Sequence, residues 1–248
     1  MPSTDLNQAS VGSAQRSPVD PSIIVAIDRP DADSALSLVQ SLDSSLCRVK
    51  VGKELFTAAG PKLVEQIQDL GFDVFLDLKF HDIPATVAGA VRSAASLGVW
   101  MVNVHASGGR RMLEASADSL QAFSSPPKLI AVTVLTSMSV DELKEIAPID
   151  DLEKHVFHLA SIAQESGLDG VVCSAREAAH LRSGCGDHFL LVTPGIRPKG
   201  AASDDQTRIV TPPQARQLGA DYLVIGRPIT QSEDPRAALE SISKSLID

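Results

Sequence analysis

Aromatic side chains are scarce in this chain: Phe, Trp and Tyr make up 4 % of 248 residues, with one Trp and one Tyr among them. A core of this size must therefore be built from Val, Ile, Leu and Ala, the mix expected for buried parallel strands covered by helices. Cysteine is also sparse. The three residues Cys47, Cys173 and Cys185 form no CxxC pair, and an odd, small set argues against a disulfide framework and for a reducing compartment. Basic residues are outnumbered, with Lys and Arg at 22 against Asp and Glu at 31, a net charge of −9. That balance does not resemble a nucleic-acid footprint. No apolar run approaches the roughly 20 residues that span a bilayer. The N-terminus lacks the basic, apolar, cleavable pattern of a targeting segment. The chain reads as a cytoplasmic protein with no nucleic-acid or membrane partner.

What is present has a rhythm. Residues 1–21 are polar and aperiodic, as expected of a flexible tail. From there to residue 248 the sequence reads as one domain. Short apolar runs rich in β-branched residues recur at Ile23–Asp28, Cys47–Gly52, Asp73–Lys79, Met101–Ala106, Lys128–Thr136, Asp169–Ser174, Phe189–Ile196 and Asp221–Arg227. Between them lie segments with helical spacing, such as Leu63, Val64, Ile67 and Leu70 before Gly71, or Val87, Val91, Ala94 and Ala95 before Gly98. Strand alternating with helix, eight times over, predicts an α/β fold: a single (β/α)8 TIM barrel with parallel strands. An open doubly wound sheet is the alternative. No GxGxxG follows the first run, which disfavours its nucleotide-binding version.

A barrel carries its chemistry at the C-terminal ends of its strands. The polar residues there are Asp28, Lys50, Asp77 with Lys79, Asn103 with His105, Thr136 with Ser137, Ser174, Arg197, and Gly226 with Arg227. Charges inside apolar runs are costly unless paired, so their recurrence at corresponding positions marks a site. Asp77 and Lys79 are two apart on one strand, which predicts that both point into the barrel, and Asp82 follows within a turn. A structural ion pair or a Schiff-base lysine would also fit the pattern. Flanking carboxylates keep a lysine protonated, which favours a proton donor over a Schiff base. At the last run, IGRP offers a close backbone approach, free N–H groups and a guanidinium to a phosphate. The polar stretch from Pro194 to Thr211, which holds Arg197 and Gln206, has the character of a lid. His155 and His158 stand at i,i+3 spacing without a third ligand nearby, so they read as a solvated helix face.

The segments DLKFHDIPAT, VKVGKELF, VNVHASGG, AVTVLTS, GLDGVVCS, VTPGIRP and VIGRP, in this order and spacing, resemble the bacterial orotidine 5′-phosphate decarboxylase family. The resemblance runs from about Ile23 to near the C-terminus. It implies conversion of orotidine 5′-monophosphate to UMP and CO2, the last step of de novo UMP synthesis. It also implies a homodimer with shared active sites and neither metal nor organic cofactor. Carried over residue by residue, Lys79 would donate the proton to C6 of the pyrimidine and Asp77 would lie against the substrate carboxylate. Lys50 and Asp82 would complete an alternating charge array, Asp82 reaching in from the partner subunit. Asp28 and Thr86 would bind ribose hydroxyls, Thr86 across the dimer as well. Thr136 would read the pyrimidine amide edge. Arg197, Gln206, Gly226 and Arg227 would hold the phosphate. Ala85 departs from the family, which often carries Asn in DIPNT. The competing function is a Mg2+-dependent sugar-phosphate decarboxylase or aldolase of the same barrel superfamily. Those enzymes are expected to place a carboxylate ligand on the second strand, where this chain has Lys50. A non-catalytic phosphate-binding barrel would leave the interior charges as an unexplained cost.

Overall fold

The computed structural model describes residues 20–198 and 210–247. The predicted N-terminal tail, up to residue 19, and Gln206 lie outside the described residues. Eight strands close into a parallel barrel in sequence order, which decides against the open sheet. They are β1 (Ile23–Ala26), β2 (Cys47–Gly52), β3 (Val74–Phe80), β4 (Met101–His105), β5 (Lys128–Val132), β6 (Gly170–Val172), β7 (Leu190–Thr193) and β8 (Tyr222–Ile225). Each coincides with a predicted run to within a residue or so at its start. The largest differences are at the C-terminal ends, where β5 stops before Thr136 and β7 stops before Ile196.

The helices that cover the barrel are α1 (Ala32–Gln40), α2 (Lys53–Ala59), α3 (Pro61–Asp69), α4 (Pro84–Ser96) and α5 (Arg110–Asp118) in the first half. The second half adds α6 (Val140–Ile146), α7 (Leu152–Glu165), α8 (Ala175–Cys185), α9 (Pro212–Gln217), α10 (Arg227–Thr230) and α11 (Pro235–Lys244). Their starts are set locally. Asp31 accepts a hydrogen bond from the Ser34 N–H at 2.9 Å, and Ser139 with Glu142 and Ser174 with Glu177 form capping boxes. Ser174, polar at a strand end, is thus a cap. Gly71 and Gly98 follow the predicted helices with φ of 85° and 71°, the left-handed conformation that ends a helix at little cost in glycine.

Alternation along the strands sorts side chains into two layers. Ile24, Ala26, Phe75, Met101, Ile130, Val192, Tyr222 and Val224 fill the barrel interior. Ile23, Val25, Val49, Val51 and Leu76 point outward and pack with the helices. The inward positions of β2 are Arg48 and Lys50, so a cation sits towards each end of the interior.

Candidate active site

The mouth of the barrel gathers four alternating charges. Lys50 Nζ stands 3.5 Å from Asp28 Oδ1 and 3.3 Å from Asp77 Oδ2, and Lys79 Nζ stands 2.5 Å from Asp77 Oδ1. Strand pairing explains why they meet. Ala26 is opposite Lys50, and Gly52 is opposite Asp77, so β1, β2 and β3 deliver their ends side by side. Lys50 and Asp77 are largely shielded, with side chains 12 % and 11 % exposed, whereas Asp28 is 68 % exposed at the rim. Burial pushes the Asp77 carboxyl up. Lys50 and Lys79, with hydrogen bonds from Lys79 and Asn103, outweigh that and hold it below the usual carboxylate value. Asp77 is therefore an anion at neutral pH.

Simple alternation predicts the Asp77–Lys79 contact but not its geometry. The β3–β4 register advances four residues on β3, from Leu76 to Phe80, for two on β4, from Val102 to Val104. Within this irregularity Lys79 has φ of 51°, the one non-glycine residue with positive φ among the described residues. That conformation is disfavoured for side chains with a Cβ and must be held by its surroundings. Asn103 on β4 supplies part of the hold, with Oδ1 accepting from the Lys79 N–H at 2.8 Å and Nδ2 donating to Asp77 Oδ1 at 2.7 Å. In the sequence Asn103 is only a polar strand end, with no role to be read from its neighbours.

Asp82 does not join Lys79 within the chain. It is exposed, and its Oδ1 accepts from the Ile83 N–H at 2.6 Å, just before α4. Thr86 is likewise exposed on the first turn of that helix. Thr136 lies half-buried in the turn after β5 and is not among the residues that line the two mouth cavities.

Those cavities adjoin each other. One of about 190 Å³ is lined by Asp28, Lys50, Lys53, Asp77 and Lys79. The other, of about 200 Å³, is lined by Asp28, Lys50, Gly195, Arg197, Gly226 and Arg227. Asp28 and Lys50 belong to both, so the charge cluster and the two arginines face one continuous recess. Arg197 is only 5 % exposed, and its Nε is buried with no hydrogen-bond partner among the described residues. A buried guanidinium nitrogen without a partner is costly, and an anionic ligand would satisfy it. The Arg197 N–H donates to the Val210 carbonyl at 3.1 Å, tying together the two ends of the predicted lid.

His105 stands at the end of β4 beside His81, with ring centroids 5.5 Å apart. Burial, then the neighbouring His81, Lys53 and Lys79, push its pKa down to about 4. It is neutral at pH 7 and adds no cation next to Lys79. Among the described residues no three His, Cys, Asp or Glu side chains converge as metal ligands. His155 and His158 are therefore not joined by a third ligand among those residues.

A closed parallel barrel with charged and anion-suited side chains gathered at the C-terminal strand ends defines an enzyme of the (β/α)8 class. The chain belongs to the orotidine 5′-phosphate decarboxylase / HUMPS family, whose profile matches residues 21–242. It is 58 % identical over 224 residues to the orotidine 5′-phosphate decarboxylase of Alcanivorax borkumensis, covering 90 % of this chain and 97 % of the relative. The enzyme of the same name from Saccharophagus degradans is 56 % identical over 227 residues, covering 92 % and 95 %. In three dimensions the chain is similar to the crystal structure of orotidine 5′-phosphate decarboxylase from Lactobacillus acidophilus. The TM-score is 0.82 at 39 % identity, with 92 % of this chain and 100 % of the other covered.

Proposed function

We infer that this chain is a carboxy-lyase that converts orotidine 5′-monophosphate to UMP and CO2 in pyrimidine biosynthesis. Family membership carries that reading, and the continuous recess joining the Asp77–Lys79 pair to Arg197 and Arg227 agrees with it. Loss of CO2 from C6 leaves a vinyl carbanion whose electron pair lies in the ring plane, where the ring π system cannot delocalise it. The protein must stabilise that charge electrostatically. Lys79 is suited to do so. Its ammonium is anchored on Asp77 at the wall of the recess, and after CO2 departs it donates a proton to C6. Asp77, held ionised, faces the substrate carboxylate. Lys50 links Asp77 to Asp28, which binds ribose.

At the other end Arg197, Arg227, the Gly226 backbone and Gln206 take the phosphate, and Thr136 reads the pyrimidine edge. Binding energy from this remote anion is expressed in the transition state. The remaining groups are assigned to a homodimer with shared active sites. Asp82 completes the partner's charge array and Thr86 its ribose site. The exposure of both, with Ile83 between them 66 % exposed at the start of α4, supports that assignment. The same proposal divides the chain into a tail, residues 1–21, and one catalytic domain, residues 22–248, and places the enzyme in the cytoplasm. Among the described residues no helix is long and apolar enough to cross a membrane.

The decisive measurement is the loss of ultraviolet absorbance of orotidine 5′-monophosphate on adding the purified protein in excess EDTA. Turnover that persists supports the reading. Turnover that vanishes and returns with Mg2+ points to the metal-dependent branch of the superfamily, and no turnover under either condition removes the proposal.

A further inference from the structure

We propose that Asn103 is a positioning residue for the decarboxylation, its amide fixing both the Asp77 carboxylate and the backbone of Lys79 so that the ammonium stands where C6 will be. The inference rests on the assignment of Lys79 as proton donor. Asn103 is completely buried in the middle of β4, on the inward-facing parity shared with Met101. A buried amide in an apolar strand is costly unless its polar atoms are satisfied. Here both ends are engaged, and the partners dictate the amide orientation. A backbone N–H can only donate and an ionised carboxylate can only accept, so Oδ1 faces Lys79 and Nδ2 faces Asp77.

The two bonds act at the place where β3 leaves regular geometry. The Lys79 N–H falls inside the register shift, and the Asn103 side chain takes it up in place of a strand partner. That capture holds Lys79 in its left-handed conformation. The second bond locks the carboxylate. Asp77 Oδ1 accepts from both Asn103 and Lys79, while Oδ2 faces Lys50, leaving no freedom to rotate without breaking a contact. Removing the amide releases the carboxylate and the backbone together, and the ammonium loses its fixed position. A displacement of about 1 Å in a reacting group can cost on the order of 100-fold in rate. The phosphate grip at Arg197 and Arg227 does not pass through Asn103.

The experiment compares steady-state turnover of orotidine 5′-monophosphate by the wild type, Asn103→Ala, Asn103→Asp and a packing control, Ile130→Val, which trims the barrel interior on β5. Asn103→Ala is expected to lower kcat by about 100-fold with KM changed less than about threefold. Asn103→Asp keeps the shape and the acceptor for Lys79 but loses the donor to Asp77. The two facing carboxyls then share a proton, so its activity rises as pH falls, a limb absent from the wild type. Lys50 and Lys79 flank that pair, and Asp28, Lys53, His81 and His105 are further titratable groups at the mouth.

Wild-type kcat in Asn103→Ala overturns the proposal. So does a loss matched by Ile130→Val together with an unaltered pH profile in Asn103→Asp. If Asn103→Ala does not fold, the pH profile of Asn103→Asp decides alone. Failure of the wild type to decarboxylate would sink the functional reading instead, whatever the variants do.

Discussion

The two ends of this barrel are made from the same ingredients and finished differently. Arg48 and Lys50 lie two residues apart on β2, both inward, and each is flanked by two aspartates. At the floor Arg48 is satisfied by the protein. Its Nε donates to Asp73 at 3.1 Å, Nη1 to the Pro21 carbonyl at 2.6 Å and Nη2 to Asp20, and its guanidinium lies 4.1 Å from the centroid of Trp100. Tyr222 completes the box, donating to Asp20 at 3.0 Å. At the mouth, among the described residues, Lys50 has the looser contacts to Asp28 and Asp77, the neighbouring strand is irregular, and Arg197 keeps a nitrogen without a partner. The floor even has the larger recess, about 720 Å³ against about 190 and 200 Å³ at the mouth. Neither a larger cavity nor a buried ion pair sets the mouth apart. Unfinished polar satisfaction and held strain at the C-terminal strand ends do.

The comparison is most strongly tested by Lys79→Ala. This variant should lose at least about 10³-fold in kcat, because under the proposed function it removes the main electrostatic partner of the carbanion. Its thermal midpoint should stay near that of the wild type. Near-normal turnover would mean the mouth cluster is as structural as the floor. Next in size is Arg227→Ala. Activity on orotidine 5′-monophosphate should fall by on the order of 100-fold, while activity on the nucleoside without its phosphate changes little. An unchanged ratio between the two substrates would remove Arg227 from the anion site.

Arg48→Met is the reciprocal change. It should cost about 2 kcal/mol in denaturant stability through the lost hydrogen bonds and cation–π contact, and leave kcat within about twofold. A collapse of kcat in a folded Arg48→Met protein would erase the distinction between the ends.

The last prediction concerns pH. His105 has a folded pKa of about 4, below its ordinary 6.5, so between those values the unfolded chain binds a proton that the folded chain does not. Stability contributed by the neutral imidazole is present above pH 6.5 and is lost as pH falls towards 4. His105→Asn should flatten the pH dependence of the thermal midpoint across that window, and equal slopes in the two proteins would refute the assignment.

Much of this was legible residue by residue. The eight β-branched runs, the helical spacing between them and glycines such as Gly71 and Gly98 are local patterns, and local patterns carry periodicity and caps. Once alternation implied a barrel, the ends of the runs pointed to Asp28, Lys50, Asp77, Lys79, Arg197 and Arg227, all of which line the mouth. Other features had no local signal. Arg48 reads like Lys50 until the floor supplies Trp100, Tyr222, Asp20 and Asp73 around it. Asn103 reads as one polar residue in MVNVH until β4 is set against the irregular end of β3. Asp82 sits close to Lys79 in sequence, yet the chain turns it outward before α4.

By itself the sequence determined which residues alternate, where strands start and which charges stand near their ends, because these follow from spacing along one chain. Only the tertiary structure decided which of two similar cations is fully satisfied by the protein and which stands in the more loosely paired mouth cluster. That choice depends on strand register and barrel closure, which bring together groups from separate strands and leave some of them without partners.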